Sequence, residues 1–212
     1  MKRIARELWY DLREPGINIW MLPAISAAFV LLSWYTQRLL GDSNTVTPAM
    51  LETLIPFLGG YGSLMLMQGL LDTEGGEIQF SYPRSNLYWG LIRQFRFFLV
   101  YAALTATVCG GVAAIMDASF GPLFLLTLFQ CFALMAVAFL GISLSRSVSA
   151  GLITLLAFVG VQVTLGREFG VFNWLYLLDG RLPSADEISG ICARSCVIGA
   201  FGWGVGQLQI RP

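Results

Sequence analysis

The chain has 212 residues, 56% of them hydrophobic and only 12% charged, with 13 Lys and Arg against 13 Asp and Glu. Soluble globular chains carry charge on about a quarter of their residues. Half that fraction, together with several apolar runs of spanning length, puts the chain in the helical membrane class and leaves no basic patch for nucleic acid. The absence of histidine removes serine–histidine, phosphohistidine and histidine–metal chemistry, which weakens any enzyme reading.

In residues Lys2 to Glu14, Ile4, Leu8 and Leu12 share one helical face with Ala5 and Trp9, while Arg3, Arg6, Glu7, Tyr10 and Arg13 fall on the other. This pattern predicts a helix over 1–16 lying in the membrane interface, with Pro15–Gly16 turning the chain. A basic flank that only orients the first span is the plainer alternative. The apolar run that follows is too long for a signal peptide and lacks a small-residue cleavage site, so it reads as an uncleaved span. Spans are expected over about 17–35, 50–71, 97–116, 123–144, 150–165 and 188–210, since about 20 apolar residues of helix cross a bilayer. The expected fold is an all-α membrane protein of six transmembrane helices forming one domain over 1–212, with no room for a separate soluble domain.

Nine of the Lys and Arg residues fall on one side of these spans: Lys2, Arg3, Arg6, Arg13, Arg84, Arg93, Arg96, Arg146 and Arg211. The other four, Arg38, Arg167, Arg181 and Arg194, fall opposite. The positive-inside rule then places both termini and the connection between spans two and three in the cytoplasm.

The acidic residues all lie in loops, flanks or span ends. Glu52 is the deepest, about one turn from the outer end of the second span. A midplane carboxylate for ion coupling is therefore poorly supported. The deep polar groups are neutral: Gln68, Gln130 and Gln162. They are read either as interhelical hydrogen-bonding groups, each worth about 1 kcal/mol or less, or as the lining of a substrate path. Cys109, Cys131, Cys192 and Cys196 sit in apolar stretches and read as small hydrophobes, with no metal site expected. Gly59, Gly60 and Gly62, and Gly199, Gly202, Gly204 and Gly206, suit close helix approach, within one chain or across a dimer.

The connection from Asp72 to Arg96 reads DTEGGEIQFSYPRSNLYWGLIRQFR. Glu74 and Glu77 lie three apart, so on a helix they share a face and can meet basic groups of a partner. Ile78, Phe80 and Tyr82 supply apolar anchors. Pro83 stops that helix, and Ser85 or Asn86 caps the next. A solvated connector is the bland reading. The connection from Gly166 to Glu187 mixes Phe169, Phe172, Trp174, Leu175 and Tyr176 with charge, as an aromatic interfacial belt also would.

No GxxxxGK[ST] phosphate loop is present. Glu77 six residues ahead of Pro83, then Arg84–Ser85, then Arg93 ten beyond the proline, resemble the first cytoplasmic loop of the type 2 ATP-binding-cassette (ABC) exporter permeases. RELWYDLREPG followed by a span bearing Pro23 resembles the family's interfacial helix and entry into the membrane. Two positions depart from the pattern. Glu74 stands where the family commonly has glycine, and Arg93 where lysine is usual.

The resemblance implies a short coupling helix between spans two and three that docks on a separate ATPase subunit through Glu74, Glu77, Ile78, Phe80, Tyr82, Pro83 and Arg84. Arg93 would be the basic residue entering the third span. It implies ATP and magnesium on that partner and no cofactor in this chain. It also implies a second permease chain, identical or related, and a multi-pass place in a plasma or bacterial inner membrane. The 166–187 connection would fold back into the membrane and close the outer end of the pathway. The apolar spans suit a lipophilic cargo. Two other classes stand beside this one: a non-transporting scaffold, such as an immunity or assembly factor, and an ion-coupled small transporter.

Overall fold

A computed structural model describes residues 17–41, 46–71, 87–169, 174–175 and 185–210. Among them the chain is all-helical, with six long α-helices: α1 (Ile17–Leu40), α2 (Val46–Leu71), α3 (Arg93–Met116), α4 (Phe120–Ser145), α5 (Val148–Glu168) and α6 (Ala185–Gln209). A single π-helical turn, Tyr88–Ile92, leads directly into α3. The sequence dictates this economy. Helices that are apolar all round satisfy their own backbone and can sit in hydrocarbon, where an open strand edge cannot.

Among the described residues, five helices are long and apolar enough to cross a membrane: α2, α3 with its π turn, α4, α5 and α6; α1, on the expected first span, is not one of the five. The protein is a multi-pass helical membrane protein. All six expected spans coincide with helices. The third starts well before Phe97, because the π turn and Arg93–Arg96 continue it downward. The fifth is 21 residues long rather than short. The expected interfacial helix over 1–16 and coupling helix within 72–86 lie outside the described residues.

Two tight turns set the direction of the chain. After α3, Asp117 takes a left-handed conformation (φ 52°) and Ala118 N–H donates to Ala113 O at 3.0 Å, a Schellman closure. After α4, Arg146 does the same (φ 53°), its N–H donating to Ile142 O at 2.8 Å. With so few linking residues, α3, α4 and α5 must run antiparallel in succession. One end of the bundle, called lower here, carries the α2–α3 and α4–α5 connections and the end of α6. The upper end carries the other three connections.

α2 and α4 form the centre, with 67% of their apolar windows buried against 17% for α5. Their glycines explain how neighbours come so close. Within little more than one turn of α2, a side chain at Gly59 would strike Tyr101 of α3, one at Gly60 Leu155 of α5, and one at Gly62 both Phe97 of α3 and Leu22 of α1. On α6, Gly199, Gly202 and Gly206 lie against Phe132, Ala136 and Phe139 of α4, advancing together along two parallel helices. Both clusters thus serve contacts within one chain. At the level of the α6 glycines, Phe98, Phe132 and Trp203 stack edge to face from three helices, with Phe132 and Trp203 centroids 4.7 Å apart.

Candidate functional site

In an apolar bundle the informative groups are the polar ones taken out of water, because each must find a partner or be costly. They gather at three levels.

At the upper level, Gln130 of α4 is fully buried and its Nε2 donates to Leu175 O at 2.6 Å. Gln162 of α5, also buried, accepts at Oε1 from Trp174 N–H at 2.9 Å and Leu175 N–H at 3.2 Å. Leu175 itself is fully buried. Gln162 stands six residues before the end of α5 and Gln130 ten after the start of α4, about 9 Å and 15 Å inside the helix ends. Leu175, between α5 and α6, therefore lies inside the bundle. Trp174–Leu175 has no helix of its own to satisfy its peptide groups, and the two glutamines supply what the helix would have. Gln130 Oε1 stays buried without a partner among the described residues.

At the middle level, Ser63 of α2 donates from Oγ to Gln94 Oε1 of α3 at 2.8 Å, and Gln94 Nε2 returns a bond to Ser63 O at 3.2 Å. Ser63 Oγ also reaches Met135 O of α4 at 3.3 Å, and both side chains are fully buried. A reciprocal pair of this kind fixes α2, α3 and α4 in register. About two helical turns towards the upper end, Tyr101 Oη donates to Ile55 O at 2.6 Å.

At the lower level, Leu91 N–H donates not to a helix carbonyl but to Gln207 Oε1 of α6 at 2.7 Å. Gly90 makes room for it: a Cβ there would overlap Gln207 and Ile210. The guanidinium of Arg96 lies over the Tyr88 ring, 4.8 Å from its centroid. Arg93, expected to open the third span, is the first residue of α3 after the π turn and is buried.

Of the candidates drawn from sequence, the structure joins Gln130 and Gln162 through a single residue, Leu175, and leaves Gln68 half-buried near the lower end of α2, apart from both. Glu74, Glu77, Ile78, Phe80, Tyr82, Pro83 and Arg84 lie outside the described residues. Sequence reasoning missed Ser63, Gln94 and Gln207. Gln94 falls before the expected start of the third span, and Gln207 hides at the end of the sixth. A glycine directly before a diverted amide, as at Gly90, is the only local signal, and it has meaning only once α6 is placed. Glu52 in the second turn of α2 is buried, at 2% exposure. The four cysteines are free thiols, and no three metal-ligating side chains converge among the described residues.

No protein-family model matches the chain, and neither a curated protein nor a solved structure gives a significant match.

Proposed function

We propose that this chain is the membrane-spanning permease subunit of an ATP-driven exporter of the type 2 ABC kind, energised by a separate ATPase subunit that docks on the 72–96 connection. The observation that carries the reading is the return of the α5–α6 connection into the bundle at Leu175, held by Gln130 and Gln162. The resemblance at Glu77–Arg93 implies such a re-entrant segment, on residues far from those that suggested it.

Other features support the same reading. α1 is 24 residues long, about 36 Å at the helical rise, and serves as the sixth span, with Trp34, Tyr35 and Arg38 in its final turns at the upper interface. The lower end is then cytoplasmic, and the docking loop joins the central helix α2 to α3. One chain offers six spans, so a complete pathway takes two, identical or related. Gln130 keeps one acceptor for a passing polar group, while Gln162 is committed to the re-entrant segment. ATP and magnesium belong to the partner. Closure of its two subunits around ATP would move the docking loops and rock the two permease halves between inward-open and outward-open states.

The test is recovery of an ATPase with the tagged chain in mild detergent, repeated with Glu77→Arg. An ATPase that co-purifies with the natural chain and is lost with the variant supports the reading. A membrane protein that stays intact and brings down no ATPase defeats it and favours a scaffold.

The burial of Glu52 favours one second reading, an ion-coupled transporter. A carboxylate at this depth in a membrane helix is retained mainly where it serves function. That reading requires transport to stop when Glu52 is neutralised and when the membrane potential is collapsed.

A further inference from the structure

A π turn holds one residue more than an α turn over a similar length, and single π turns inside helices are frequent at functional sites. It reverts to α-helix by passing that residue to the chain before it, which turns the upstream segment by about 100°. Upstream of Tyr88–Ile92 lies the 72–86 connection. In the α state Leu91 N–H would bond the carbonyl four residues back, on Leu87. Here it is bound to Gln207 Oε1 at 2.7 Å instead. Gln207 therefore interacts differently with the two states, which is the condition for one element to bias another. Gly90 leaves the space that this state needs.

α6 is well placed to carry the consequence. Its lower end holds the clasp through Gln207, with Ile210 beside Gly90. Its length runs along α4 on Gly199, Gly202 and Gly206. Its upper end follows the connection whose Leu175 is pinned inside the bundle. Close packing on backbone makes such a helix move as a bar rather than bend.

We infer that the π turn at Tyr88–Ile92 is a two-state switch, and that Gln207 is the positioning residue that passes its state from the 72–86 loop to α6 and so to the re-entrant segment. The coupling rests on the exporter reading; the clasp does not.

Hydrogen–deuterium exchange of the full chain in lipid nanodiscs separates the two. Gln207→Leu, which removes the acceptor, should speed exchange of the peptide covering 88–92 by about tenfold, the scale expected for one lost hydrogen bond. Gln207→Glu, which keeps an acceptor, should restore it. Unchanged exchange with Gln207→Leu overturns the switch. If that variant also loses protection along α4, Gly90→Ala displaces Gln207 without deleting a polar group and is judged by the same criterion.

With the co-purified ATPase, ATP and vanadate should alter exchange at 174–175 in the natural chain but not in Gln207→Leu, with the ATPase still bound. An equal response in both overturns the coupling. If the natural chain holds no ATPase, the exporter reading fails and the coupling with it, while the result at 88–92 still decides the clasp.

Discussion

Gln130 and Gln162 hold opposite sides of one residue: Gln130 donates to the carbonyl of Leu175 at 2.6 Å, and Gln162 accepts from its amide at 3.2 Å. They come from α4 and α5, neighbours joined by a tight turn at the other end of the bundle. A peptide inside hydrocarbon without secondary structure has both groups orphaned. Two primary amides, each donor and acceptor, are the side chains best matched to that need.

Removing either glutamine should release the segment. In a Leu175→Cys background with the native cysteines replaced, a membrane-impermeant maleimide should label position 175 at least several-fold faster after Gln130→Leu or Gln162→Leu. Each hydrogen bond is worth about 1 kcal/mol. Continued exclusion of the reagent in both variants would show that apolar packing alone buries Leu175.

The Ser63–Gln94 pair should behave as a unit. Ser63→Ala leaves Gln94 Oε1 buried without its 2.8 Å donor, at a cost of about 1–2 kcal/mol. Adding Gln94→Met should recover part of that loss, since the unpaired group is then gone. A double-mutant cycle from unfolding in mixed micelles reads the coupling directly, and strict additivity would refute it.

Two glycines of α6, two residues apart and so on opposite faces of the helix, make a controlled comparison. A Cβ on Gly202 would lie 2.8 Å from Ala136 O, a backbone atom that cannot rotate away, whereas Gly204 meets nothing within 4 Å. Gly202→Ala should destabilise by about 1–3 kcal/mol, and Gly204→Ala should be neutral or slightly stabilising. The thermal midpoints of the purified variants check both.

Glu77 and Glu52 discriminate between functions. Glu77→Arg should abolish recovery of the partner ATPase, and Glu52→Gln should leave that recovery unchanged. The reverse pattern in a transport assay, loss with Glu52→Gln and indifference to Glu77→Arg, would point to ion coupling.

Much of the fold was legible from residue type alone. The six helices, their order and most boundaries follow from apolar run length, because in lipid no other structure satisfies the backbone. The early start of α3 was hidden because Tyr88–Arg96 mixes Arg93, Gln94 and Arg96 with aromatic residues. That composition reads as a loop until burial of Arg93 and Gln94 against other helices is known. Gln130 and Gln162 stood out by depth, but not as a pair, since their link runs through a residue of a third segment.

Composition therefore determined the class of this protein, and its apolar spacing determined where helices lie, because transfer of a helix into lipid depends on its own residues. Which glycine faces which aromatic ring, which amide Gln207 receives and which residue two glutamines share depend on helices distant in sequence. Only the tertiary structure decided those, because a hydrogen bond between side chain and backbone acts over about 3 Å, and sequence spacing carries no information about which helices approach that closely.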